Sequence, residues 1–151
     1  MKPGTFTQLY THLIFAVKYR ERLLTNNIRS EVFSYISGII TNRKHKSIIV
    51  NGMPDHIHIL LGLNPNDKIS DLVGSIKKNS SLFINLFHGK FHWQDGYGAF
   101  SYGKSQLNNV YNYILNQEDH HKKRTFREEY IGLLNKFEIK YDKKYLFEFF
   151  E

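Results

Sequence analysis

The sequence predicts an α+β fold, an antiparallel sheet with helices on one face and further helices added at the C-terminus. Segments rich in β-branched and aromatic residues alternate with helical apolar stripes in the order β-α-β-β-α-β. Turn residues punctuate the joins at Gly52-Met53-Pro54-Asp55 and Asn64-Pro65-Asn66-Asp67. At 151 residues, 41% of them apolar, the chain suffices for one domain with a buried core. That core is expected from Thr5 to Arg124, with a helical extension from Thr125 to Glu151.

The first strand is Thr7 to Tyr19, dense in β-branched and aromatic side chains. Asn26 or Asn27 caps a helix to Arg43, whose apolar stripe is Ile28, Val32, Tyr35, Ile36, Ile39 and Ile40. Lys46 to Met53 and His56 to Leu63 are the second and third strands. A second helix spans Ile69 to Leu86, with Lys77 and Lys78 outward. A glycine- and aromatic-rich loop from His88 leads to a fourth strand at Ala99 to Tyr102. Ser105 caps a third helix, predicted continuous from Gln106 to Lys123. Thr125-Phe126-Arg127-Glu128 has capping-box spacing and opens a fourth helix toward Phe137. The aromatic tail from Tyr141 to Glu151 is expected to dock on the body or on a partner subunit. The order is that of a ferredoxin-like (RRM-like) sandwich, with one helix-covered face and one open face that suits nucleic acid.

Composition narrows the function. Cysteine is absent, which excludes disulfides and thiolate metal sites, so any metal takes nitrogen or oxygen ligands. No apolar run approaches bilayer length and no secretory leader pattern is present, so a cytoplasmic, nucleoid-associated protein with no membrane partner is expected. The net charge of +7 and pI near 9.5 favour a polyanionic partner. Basic residues cluster at Lys18, Arg20 and Arg22, at Arg43 and Lys44, at Lys77 and Lys78, and at Lys122, Lys123 and Arg124. These ten are the candidate DNA contacts. With aromatics at 15% of the chain, the mixture suits single-stranded nucleic acid, because cations neutralise phosphates and aromatic faces stack on unpaired bases.

Met53-Pro54-Asp55-His56-Ile57-His58-Ile59-Leu60 places two histidines two residues apart on a strand. Strand side chains alternate, so His56 and His58 converge on one side and form half of a metal site. Asp55 shapes the turn or orients a ligand histidine. About fifty residues on, Tyr113 and Gln117 stand four apart on one helix face, and His120 returns to it after seven. Tyr111 points well round the helix and cannot share their site. His120 and His121 either supply further ligands, contact DNA, or extend the basic run that follows; the last reading is preferred.

Pro54-Asp55-His56-Ile57-His58-Ile59-Leu60 followed by Tyr113-Ile114-Leu115-Asn116-Gln117 resembles the IS200/IS605-type single-tyrosine transposases of the HUH nuclease class. His12 to Arg20 resembles that family's first strand and basic turn, and Trp93 to Phe100 its segment before the tyrosine helix. The resemblance implies that His56, His58 and Gln117 bind a divalent metal, Mg²⁺ or Mn²⁺, and that Tyr113 is the nucleophile. It implies a transposase that cleaves and rejoins single-stranded DNA at hairpin-bearing ends through a 5′-phosphotyrosine. No nucleotide cofactor is then needed, and no phosphate-cradling glycine loop with a lysine is present. Two cleavages per excision imply a homodimer. The competing readings are a domesticated endonuclease that processes hairpin repeats, and a non-catalytic single-strand binding module.

Overall fold

Alternation along the first strand sets up two different sheet faces. The structure, a computed structural model, describes residues 3–18, 24–87 and 89–149. Four strands, β1 (Tyr10–Ala16), β2 (Lys46–Met53), β3 (His56–Gly62) and β4 (Gly98–Tyr102), form one antiparallel sheet in the order β2-β3-β1-β4. Helices α1 (Asn26–Asn42) and α2 (Ile69–Ile84) follow β1 and β3. This is the α+β arrangement expected from the element order. β1 is shorter than anticipated, and Tyr19, Arg20 and Arg22 lie outside the described residues.

The register sorts the side chains. Phe15 lies opposite Ile57, and Leu13 opposite Ile59 and Ala99. With Leu61, Val32, Ile36, Ile40, Leu72 and Ile76 they build the main core between the sheet and α1/α2. On the other face His58 lies opposite Ile14 and Asn51, while His12 lies opposite Leu60 and Phe100.

That second face is covered, contrary to the expected open platform. Helices α3 (Leu107–Leu115), α4 (Gln117–His121) and α5 (Phe126–Lys136) fold over it. Leu60, Val110 and Ile114 form a small second core, flanked by Ile49, Tyr102 and Tyr113. The reason is legible afterwards: Ile14, Leu60 and Phe100 project from this face, and apolar side chains of that size favour burial.

The predicted third helix is broken. Its backbone leaves helical geometry at Asn116 (φ −98°, ψ 30°). Asn51 on β2 donates through Nδ2 to the carbonyls of Ile114 at 2.9 Å and Leu115 at 3.2 Å. In an unbroken helix those carbonyls would accept from the amides four residues on, so the side chain replaces the lost ladder bonds. The start of α5 follows the sequence expectation, with Thr125 Oγ1 accepting from the Glu128 amide at 3.2 Å and the Thr125 amide donating to Glu128 Oε1 at 3.3 Å.

Gly98 permits α5 to settle on β4. A Cβ there would stand 2.8 Å from the ring and hydroxyl of Tyr130, which is itself buried. The tail docks on the body: Phe147 packs 4.8 Å from the Tyr130 ring, and Gln94 exchanges hydrogen bonds with the Glu148 backbone at 2.9 and 2.7 Å. Among the described residues no helix is long and apolar enough to cross a membrane.

Candidate active site

The two strand histidines point into the space between the sheet and α3–α5. Both are wholly buried, their ring centroids 5.2 Å apart and nearly perpendicular. His56 stacks flat on Phe126 of α5 at 3.8 Å, and its Nδ1 meets Asp55 Oδ1 at 2.8 Å. Asp55 therefore orients a site histidine from the β2–β3 turn. Each of these contacts fixes a ring plane before any ligand arrives.

Tyr113 comes from α3, Gln117 from the first position of α4, and His121 from the end of α4. All reach one side chain that the motif reading passed over, Glu129 on the buried face of α5. Its Oε1 lies 3.1 Å from His58 Nε2, 3.2 Å from His121 Nε2 and 3.5 Å from His56 Nε2. Its Oε2 accepts from Gln117 Nε2 at 3.0 Å and from the Tyr113 hydroxyl. Gln117 Oε1 also stands 3.3 Å from His56 Nε2. Arg124 approaches the Tyr113 hydroxyl at 3.4 Å, and His120 lays its ring 4.7 Å from that of Tyr113.

A carboxylate only 1% exposed would be held neutral by desolvation alone. Burial does push Glu129 upward, but the electrostatic pull of His58 and the hydrogen bonds of His121, His56 and His58 outweigh it, leaving the group well below the usual carboxylate range. His56 shows the reciprocal effect: burial opposes its protonation, yet the hydrogen bonds to Asp55 and Glu129 raise it to about 9. His58, lacking an Asp55, is lowered by burial against the pull of Glu129. Burial and the adjacent Glu129 charge push the Tyr113 phenol above its ordinary value, with Arg124 opposing. The phenol is thus a held, neutral donor in this arrangement.

His12 is the second residue the motif reading missed as part of the site. It is fully buried on β1, its Nε2 2.8 Å from His58 Nδ1, and its own Nδ1 has no hydrogen-bond partner. A bare acceptor lone pair is cheaper to bury than a bare N–H, which places the proton on His12 Nε2, donated to His58.

For a metal, His56, His121 and Glu129 offer ligand atoms all within 4.8 Å of one another, with His58 Nε2 facing the same oxygen. Imidazole nitrogen and carboxylate oxygen are suitable donors for a divalent first-row ion. His121 thus joins the buried cluster rather than only extending the basic run. Signals for the missed residues existed: Glu129 interrupts the apolar stripe Phe126, Tyr130, Leu133, Leu134, and His12 directly precedes the apolar run Leu13 to Ala16 on its strand.

The predicted DNA contacts divide. Arg43 makes a two-point ion pair with Asp67 at 2.8 and 2.6 Å, shared with the buried His45 at 2.7 Å. Lys77 Nζ donates to the carbonyls of Gln94 at 2.8 Å and Gly96 at 2.7 Å. Both are tied into the fold. Lys44, Lys78, Lys122, Lys123 and Arg124 are exposed, Lys122 near Asp119 at 3.6 Å, and Lys18 is half-buried.

The profile of the family described as "Transposase IS200 like" matches residues 5–117. The ISDra2 transposase TnpA of Deinococcus radiodurans is 28% identical over 125 residues, covering 77% of this chain and 89% of that protein. The transposase for insertion sequence element IS200 of Salmonella typhimurium is 26% identical over 119 residues, 74% of this chain and 78% of its own. Among solved structures, a Deinococcus radiodurans R1 protein described as a transposase superposes with a TM-score of 0.62 at 26% identity, over 78% of this chain and 96% of that one. The REP-associated tyrosine transposase bound to a REP hairpin shares the fold, with a TM-score of 0.57 at 18% identity over 80% of this chain and 74% of that one. The chain belongs to the IS200-like transposase family.

Proposed function

We propose that the protein is a metal-dependent transposase that cleaves and rejoins single-stranded DNA with Tyr113 as nucleophile. One observation carries the reading: Tyr113, Gln117, His56 and His58, from three elements of one chain, all converge on the Glu129 carboxylate. Buried groups of this kind are costly unless they serve a site.

Tyr113 Oη forms a bond to phosphorus, and the P–O3′ bond breaks. The products are a 3′-hydroxyl and a 5′-phosphate held on tyrosine. Among the described residues the acceptor for the phenolic proton is Glu129 Oε2, to which Tyr113 already donates, and the departing O3′ takes a proton from water. Attack by another 3′-hydroxyl reverses the exchange, so the phosphodiester energy is conserved without a nucleotide cofactor. Arg124 offsets phosphate charge at the phenol.

The donor set fits a divalent cation, Mg²⁺ or Mn²⁺, held by His56, His58 and Gln117, with His121 and Glu129 adding a nitrogen and an oxygen at the same place. When bound, that ion supplies charge stabilisation for the phosphoryl transition state. Hairpin-bearing single-stranded DNA is the proposed substrate, supported by the basic surface and by the hairpin carried by the REP-associated relative. Each copy contributes one tyrosine and one set of donors, and two strand breaks per excision call for two copies.

The test is a denaturing-gel assay with single-stranded DNA from the element's own ends, with Mg²⁺, Mn²⁺ or EDTA. A covalent protein–DNA adduct that requires both metal and Tyr113 is expected. Binding without an adduct in any divalent metal would replace the transposase reading with that of a binding module.

A further inference from the structure

A cleft of about 380 Å³ opens between α3, α5 and the end of β4, and the nucleophile forms part of its wall. We propose that this cleft binds one deoxynucleotide: the residue 3′ of the scissile bond, which stays attached to Tyr113 through its 5′-phosphate. The inference rests on Tyr113 being the nucleophile and extends that reading to a base-binding subsite.

Stereochemistry selects which nucleotide belongs there. In an in-line displacement the attacking and leaving oxygens stand on opposite sides of phosphorus. O3′ and the strand it carries therefore depart on the side away from Tyr113. The nucleotide joined through O5′ remains beside the phenol, and the space bordering the phenol is this cleft.

The lining suits that ligand. Arg124 stands at the phenol end, 3.4 Å from the Tyr113 hydroxyl, where it would meet the 5′-phosphate. Val110 and Leu133 supply apolar wall from opposing helices, and the half-buried Tyr102 ring supplies a stacking surface. Asn109 contributes an amide, which can pair with the edge of a base through two hydrogen bonds. Lys136 reaches over the Tyr102 ring, 5.9 Å from its centroid, and adds charge for the next phosphate. At Gly132 on α5 a Cβ would meet nothing within 4 Å, so the helix leaves room there. The volume falls in the small-ligand range of about 300–1,000 Å³.

Gly132→Leu is the informative variant, because it fills the cleft from a helical position and leaves Tyr113 and Arg124 in place. The full-length protein with Mg²⁺ would be titrated by NMR with the four deoxynucleoside 5′-monophosphates. Saturable millimolar binding with shifts at Asn109 and Gly132 is expected, weakened about tenfold or more in Gly132→Leu. In the adduct assay, an abasic site immediately 3′ of the cleavage position should lower the adduct yield about tenfold, and one immediately 5′ much less. Absence of saturable binding, shifts confined elsewhere, or equal affinity in Gly132→Leu overturns the proposal. No adduct on the intact oligonucleotide would instead overturn the proposed function, and the mononucleotide titration would still decide the cleft. A circular-dichroism melt of Gly132→Leu guards against misfolding, since replacing a helical glycine should hold or raise its midpoint.

Discussion

Glu129 joins the tyrosine, the amide and three histidines at one carboxylate, so its removal should be felt in two separable ways. Glu129→Ala leaves converging imidazoles and a phenol without their acceptor, and should cost the metal-free protein about 3–5 kcal/mol in denaturant unfolding. Glu129→Gln keeps the shape and most of the hydrogen bonding but loses the anionic donor. Mn²⁺ affinity by isothermal titration calorimetry should then fall about 10–100-fold. Unchanged affinity would assign Glu129 to the fold alone. With three imidazoles present, Mn²⁺ should also bind more tightly than Mg²⁺, which prefers oxygen donors. The His-x-His pair was legible as a site because strand alternation is a local rule. Glu129 was not, because its contact with His58 spans 71 residues and depends on where α5 lands.

At the scale of elements, two joints set the geometry. Gly98 admits Tyr130 and so seats α5; Gly98→Ala should force the ring away, lower stability by about 1–3 kcal/mol and draw Glu129 off the histidines. Thermal melts with and without Mn²⁺ would show both effects, the second as a smaller metal-induced rise in Tm. The other joint pins the α1–β2 turn to the β3–α2 loop through Arg43, His45 and Asp67. The Asp67 carboxyl is lowered to about 2, first by the Arg43 hydrogen bond and further by that of His45, against the opposing effect of burial. A depressed acid contributes its stability above its unfolded value and loses it as pH falls through the folded one. That contribution should be intact above about pH 4 and fade toward pH 2. Asp67→Asn should lose about 1–2 kcal/mol at neutral pH and show a shallower acid transition over that window. Most element boundaries were legible from periodicity and turn residues, and β2 falls where the sequence puts it. The break at Asn116 was not, since it is made by Asn51 from a distant strand.

For the whole molecule, the basic character was legible but its division of labour was not. Of the candidate DNA contacts, Arg43 and Lys77 are engaged within the fold, whereas Lys78 and Lys123 stand in solvent. Removing Lys78 or Lys123 should reduce the salt slope of single-stranded DNA binding by about 0.7 each. Arg43→Ala should lower stability more than it alters that slope. Fluorescence anisotropy across a salt series, read beside thermal melts, separates the two groups. The covered second face was the largest departure from expectation: local patterning identifies apolar positions, but not which later segment returns to bury them. The most direct test of the central claim is peptide mapping of the covalent DNA adduct by mass spectrometry, among ten tyrosines in the chain. The account predicts a nucleotide mass on Tyr113 alone, absent with EDTA; attachment at Tyr111, at another tyrosine, or with EDTA present would contradict it.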